Sequence, residues 1–258
     1  MTRQSYEYKG GSKMKKVLII VAVAVMMFSG IALAGYDEAM QLYREKKYVE
    51  AVAEFRKVLP ALEGEQAYVV QMHIGRSLSA QKKYDEAIVE YEKVSSIKGI
   101  STDQIVQGVY SIGHSLFNQK KYDEARLKFQ ECLKASMDES FKKVCQFYAG
   151  YTFYAQKQYD EALAEFAKTN HPNAVFHTGC ILEKQGKHAE SQAKYINLFD
   201  ISGVGVSLLK TTYNSLDKVA LGKEGLLNII EKILLQVPAT EANADFLGLL
   251  KSEQEKLK

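Results

Sequence analysis

Apolar and small residues recur along this chain in a fixed order. From residue 35 to about 198 they fall three and four apart, the spacing that lines one face of a helix. One phrase returns through this stretch: KKYVEAVAEF at 46–55, KKYDEAIVEY at 82–91, KKYDEARLKF at 120–129 and KQYDEALAEF at 157–166. A weaker copy, GKHAESQAKY, stands at 186–195. The aligned leading residues are Tyr48, Tyr84, Tyr122, Tyr159 and His188, at spacings of 36, 38, 37 and 29. Self-similarity at this period predicts stacked supersecondary units. Asp85-Glu86, Asp123-Glu124 and Asp160-Glu161 put carboxylates where a helix begins, at the positive end of its dipole. Ala51, Ala87, Ala125 and Ala162 leave room for a second helix, and Phe55, Tyr91, Phe129 and Phe166 follow four residues later on the same face, with Tyr195 in the weaker copy.

A second helix precedes each phrase. Gly75, Gly113, Gly150 and Gly179 each lie nine residues before the aligned Tyr or His, and Ala39 takes that place in the first copy. A glycine inside a helix costs about 1 kcal/mol against alanine, so four at one register predict a close helix–helix approach. Beyond Asp200 the phrase disappears. Residues 201–206 read as a loop, followed by helical patterns at 207–221, 223–237 (stopped by Pro238) and 240–257. These fit a cap over the last unit or a degenerate sixth repeat. The apolar helix at 223–237 also suits packing on a partner or on a second copy of the chain.

The order of positions resembles the tetratricopeptide repeat family. The first copy supplies Tyr36, Ala39, Tyr43, Tyr48, Ala51 and Phe55; the third supplies Ile112, Gly113, Leu116, Tyr122, Ala125 and Phe129. The resemblance covers roughly 35–198. It implies an all-α fold, a right-handed α-solenoid of about five helix hairpins, with units near 35–66, 67–102, 104–138, 140–170 and 172–199 and capping helices in 200–258. Three spacings exceed the family's 34-residue period, and the proline that often ends a family repeat is missing. The 29-residue step implies a shortened second helix ending near Asn170, with Pro172 opening the next. In this family the first helices of successive units line a concave surface. By register the inward residues are Met72, Arg76, Tyr110, His114, Phe117, Phe147, Tyr151, Tyr154 and Phe176. Such an aromatic strip suits capture of a peptide or helix; core packing is the other reading of the same residues. The Lys, Asn and Arg with which some members grip a carboxylate are absent, which argues against an acidic C-terminal tail as the ligand.

Composition adds a compartment. The net charge of +3 comes from residues 1–34, which hold Arg3, Lys9, Lys13, Lys15 and Lys16 against Glu7. Without them the 34 basic and 31 acidic groups fall to 29 and 30, a net of −1. Nothing in that balance favours nucleic acid or anionic lipid. Basic Lys13–Lys16, the apolar VLIIVAVAVMMF and Ala32-Leu33-Ala34 follow the layout of a secretory signal peptide cut between Ala34 and Gly35. This predicts a periplasmic or exported bacterial protein. The rival is an uncleaved inner-membrane anchor over 17–34. Lys9-Gly10-Gly11 can be encoded by a purine run like a ribosome-binding sequence, which would make Met14 the true start.

Reaction chemistry finds no motif. The histidines are His73, His114, His171, His177 and His188, and none forms an HExxH or a zinc-type Cys/His pair. No P-loop, GxSxG or dinucleotide-binding glycine set occurs. The reading is therefore a non-enzyme with no cofactor and no metal. Cys132 and Cys145 stand symmetrically about a turn near 137–139 and face each other in a helix hairpin; they are either a disulfide or two small buried hydrophobes, with Cys180 left over. The expected function is a protein-binding scaffold of the bacterial cell envelope. The alternatives are an accessory subunit that binds a glycan or peptide substrate for an envelope enzyme or transporter, and a self-assembling structural protein.

Overall fold

The fold is known from a computed structural model, which describes residues 35–258. The leader, the start at Met14 and Ala34 of the cleavage site lie outside the described residues. The fold is all-α, and among the described residues there is no strand. The chain divides into two compact units, one ending at Lys120 and one beginning at Lys121. That division falls inside the third helix pair, whereas the sequence pattern changes only at residue 200.

The first unit contains α1 (35–44 of the described residues), α2 (Tyr48–Val58), α3 (Gly64–Ala80), α4 (Tyr84–Glu92) and α5 (Thr102–Asn118). Consecutive helices from α2 to α5 pack on one another. Ala39, Ala51, Phe55, Ile74 and Ala87 have no exposed surface. Each large side chain buried in this way contributes about 1.5–3 kcal/mol, so the small-then-aromatic order of the phrase is the core of the fold. The second unit contains α6 (Tyr122–Ala135), α7 (Glu139–Ala155), α8 (Tyr159–Phe166), α9 (Pro172–Lys184), α10 (His188–Leu198), α11 (Val206–Asn214), α12 (Lys218–Gln236) and α13 (Ala244–Leu257). Its α8 has only 8 residues, and α9 starts at Pro172.

The recurring glycines have a steric cause. A Cβ on Gly75 would stand 2.3 Å from Tyr91 Cε1, one on Gly150 2.8 Å from Phe166, and one on Gly179 2.4 Å from Tyr195. In these three pairs the aromatic of the phrase therefore sets a ring edge against the glycine of the helix before it, which fixes how closely the pair approaches.

The turns hold a device that the sequence reading missed. Lys46, Lys82, Lys120 and Lys157 all have φ of 60–64°, and Gly186 takes the same place with φ 75°. The Lys82 and Lys83 amides bond back to the Ser79 and Leu78 carbonyls, and the Gly186 and Lys187 amides to Glu183 and Leu182. This is the Schellman end of a helix, whose left-handed residue is usually glycine. Lysine there bears a backbone cost and offers its charge to the negative helix end. Three residues then suffice to reverse the chain before the phrase's Tyr or His, Gln81–Lys83 between α3 and α4 and Gln185–Lys187 between α9 and α10.

In the C-terminal segment the helices differ from the expected pattern. The pattern at 207–221 is interrupted: α11 ends at Asn214, and Asp217 caps a new start by accepting bonds from the Val219 and Ala220 amides. Gly222, at φ 68° and ψ 178°, bends α12, so its long arm runs from residue 223 as the apolar pattern predicts. Ile229, Ile230 and Ile233 of that arm are buried in one core with Tyr195, Leu198, Tyr213 and Phe246. The apolar face expected to meet a partner or a second copy is thus buried in the chain's own C-terminal core, which α10, α11 and α13 share with it. Gln236 Nε2 donates to the Phe199 carbonyl at 2.8 Å, and Lys218 pairs with Glu253 at 3.1 Å.

Candidate partner-binding face

The nine residues placed inward by register do not share one environment. Met72 is 2% exposed and Phe147 4%, so both belong to the core and present no surface to a ligand. Met72 is covered because α3 packs against α2, α4 and α5. Phe147 is covered because its ring stacks on Phe166 at 5.9 Å and on His171 at 4.9 Å. In the first unit Arg76 is exposed, and Tyr110, His114 and Phe117 are half-buried. Tyr110 and His114 meet edge to face at 4.6 Å, and burial pushes the His114 pKa down to about 4.

In the second unit the rings form one connected group. Tyr151 and Tyr154, half-buried and three residues apart on α7, stack with centroids 5.6 Å apart and planes 15° from parallel. Phe147 continues the stack at 5.4 Å from Tyr151. From α9, His177 approaches Tyr151 at 5.0 Å and Tyr154 at 4.8 Å, and Phe176 stands 5.6 Å from His177. The Lys184 ammonium lies 5.6 Å from the Tyr154 ring centre and 5.4 Å from that of Tyr159. Offset and tilted ring pairs of this kind hold their geometry at little entropic cost.

His177 escaped the sequence reading. Its Nδ1 is buried without a hydrogen-bond partner, and burial lowers its pKa to about 4, so the ring is neutral at pH 7. His73 stands two residues before its glycine, as His177 does, and has the same traits: an unpartnered Nδ1, a pKa lowered by burial to about 4, and aromatic neighbours in Phe55 and Tyr43. The matching register was a visible signal. His171 caps α9, its Nδ1 accepting from the Asn173 amide at 3.3 Å.

The α3–α4 and α7–α8 crossings also carry a repeated polar clamp. Gln71 Nε2 donates to the Glu90 carbonyl at 2.9 Å and to its carboxylate at 2.7 Å; Gln146 does the same to Glu165 at 3.2 and 2.6 Å. Burial pushes the Glu90 carboxyl up, but hydrogen bonds from Lys93, Arg56 and Gln71 outweigh it and leave the pKa lowered. Both glutamines sit four residues before the close-approach glycine, so the clamp and the ring contact act at one helix crossing. A cavity of about 520 Å³ lies near the start of α7 and the end of α8, lined in part by Lys142, Lys143, Lys168 and Glu139. It shares no lining residue with the aromatic face. Among the described residues no three of His, Cys, Asp or Glu are grouped to hold a metal ion, and no helix is long and apolar enough to cross a membrane.

Residues 69–99 match the profile of the tetratricopeptide repeat family. No curated protein sequence matches the chain. Among solved structures, the chain is similar to pilF of Pseudomonas aeruginosa at 16% identity and a TM-score of 0.53, over 86% of this chain and 99% of that one. It is also similar to MamA (41 to end) from Desulfovibrio magneticus RS-1 at 13% identity and a TM-score of 0.51, over 66% and 93%. Likeness at these identities speaks for the fold, a stack of tetratricopeptide-type helix pairs.

Proposed function

We propose that this array of tetratricopeptide-type helix pairs is a non-catalytic scaffold that holds a peptide or helical segment of a partner protein in the bacterial cell envelope. The observation that carries the reading is the connected ring group of α7 and α9. Tyr151, Tyr154, Phe176 and His177 are packed tightly enough to be rigid, yet each keeps part of its surface open. Rigid aromatics on a preformed face bind a partner side chain with little loss of conformational freedom. His177 is neutral at pH 7, so the charge bordering this face is the Lys184 ammonium beside Tyr154. Tyr110 and His114 supply a smaller face of the same kind in the first unit.

Export rests on the signal-peptide layout of residues 13–34. N-terminal sequencing of the protein recovered from cells should read from Gly35, and a start upstream of Ala34 would refute cleavage there.

Binding is tested by photo-crosslinking in intact cells from Tyr110, Tyr151 and Phe176, with exposed Val89 and Leu127 as control positions. One protein should be captured from the aromatic positions and not from the controls. The Tyr151→Ala/Tyr154→Ala variant should lose that capture while keeping its helical content. Equal capture from the controls, or capture untouched by the double substitution, would overturn the assignment.

A further inference from the structure

Helices α6 and α7 run antiparallel, and their contacts set the register between them. Arg126 of α6 reaches Thr152 Oγ1 at 3.5 Å and lies 4.2 Å over the Phe153 ring. One turn further along α6, Phe129 meets Tyr148 at 5.4 Å. Three more residues forward on α6 and three back on α7 bring Cys132 opposite Cys145. Steps of three keep both positions on the facing surfaces. Both thiols have no exposed surface, and neither is bridged in this structure. They touch: a hydrogen bond between the two side chains, with burial second, pushes the Cys132 thiol well above its ordinary pKa.

We propose that Cys132 and Cys145 are a disulfide-forming pair that pins α6 to α7, oxidised by thiol–disulfide exchange with a disulfide such as oxidised glutathione. In the first step the Cys132 sulfur attacks the donor disulfide, forms a mixed disulfide and releases one donor thiol. In the second, the Cys145 sulfur attacks the Cys132 sulfur of that mixed disulfide and releases the other donor thiol. Two electrons pass from the cysteine pair to the donor, and the two thiol protons end on the released thiols. Because both sulfurs are sealed and Cys132 is held protonated in the fold, the exchange belongs to the folding or opened hairpin, where a thiolate can form. Once buried, the bridge is shielded from reductants by the same packing. It fixes α7, the helix that carries Tyr151 and Tyr154, but it stands on the hairpin register and not on the partner-binding reading. Cys180, on α9 and half-buried, accepts a hydrogen bond from the Tyr195 hydroxyl at 3.5 Å and takes no part.

The test uses the full purified chain, unfolded with reductant and refolded either in a glutathione redox buffer or with reductant kept present. The oxidised product should be lighter by two hydrogen atoms, should yield a cross-linked peptide joining Cys132 to Cys145, and should leave Cys180 open to alkylation. Its Tm should exceed that of the reduced chain by roughly 5–10 °C, as expected for closing a short loop. In Cys132→Ala/Cys145→Ala that difference should vanish. Complete alkylation of Cys132 and Cys145 after oxidative refolding, or a bridge from either to Cys180, would overturn the proposal. The peptide map of the unsubstituted chain decides this even if the double variant fails to fold.

Discussion

Replacing Gly75 by alanine tests the physical reason for the repeat itself. On an open helix the change should help, because alanine is favoured over glycine by about 1 kcal/mol. Here the new methyl would lie 2.3 Å from Tyr91 Cε1 and 2.7 Å from Cδ1 and Cζ. Carbon atoms rest at about 3.5–4 Å, so the ring would have to retreat by more than 1 Å, on the order of a full bond length. Tyr91 is only 4% exposed and lies between helices, so it has little room to do so. Overpacking of this kind costs about 1–3 kcal/mol, and a rigid ring edge in place of a flexible chain end puts the cost at the upper end. After the helix gain, the net destabilisation is about 2 kcal/mol, or roughly 4–8 °C in Tm for a chain of this size. Gly248 is the control: it is exposed in α13, and nothing lies within 4 Å of its added Cβ. Gly248→Ala should therefore stabilise by about 1 kcal/mol. Thermal and urea unfolding by circular dichroism would report both. A cycle with Tyr91→Leu should show a coupling above about 1 kcal/mol, since removing the ring removes the clash. If Gly75→Ala stabilises the protein as much as Gly248→Ala does, the steric account of Gly75, Gly150 and Gly179 is wrong.

The turn residues offer an opposite pair. Gly186→Ala should cost about 1 kcal/mol although no atom lies within 4 Å of the new Cβ, because the loss is one of backbone conformation alone; Lys82→Gly should be neutral to stabilising by about 0.5 kcal/mol. Equal urea midpoints for Gly186→Ala and the parent chain would refute the left-handed turn. Gln71→Ala strips the buried Glu90 carbonyl and carboxylate of a shared donor and should destabilise by about 1–3 kcal/mol, more than Gln104→Ala at the exposed capping box. Stability should also fall with acid. His73, His114 and His177 have folded pKa values of about 4, below the ordinary 6.5, so their contribution is whole above pH 6.5 and is lost as pH falls toward 4. Tm should drop between pH 7 and pH 5 before most carboxylates titrate, and His177→Phe should shrink the drop; a drop of unchanged size would count against burial as the cause.

By itself the sequence determined the helix pairs and their order. The alanine, the aromatic four residues later and the glycine nine residues before the tyrosine repeat in register, and each acts through local geometry or through its nearest partner helix. Tertiary structure decided what those local rules leave open. Met72 and Phe147 moved from the expected face into the core although Arg76 and Tyr151, four residues on along the same stripes, stay at the surface, because burial depends on what neighbouring helices cover. His177 joined the face for the converse reason: its value lies in rings on α7 that only folding brings within 5 Å or so. The lysines of the turns carried a left-handed backbone that their side chains do not announce, and Gly186 in the weaker copy was the single clue to it. The C-terminal helices carried an apolar stripe of plain period, yet only the fold showed that the chain's own neighbouring helices occupy it. A pattern along one helix reports which face is apolar; what lies against that face is a property of residues distant in sequence.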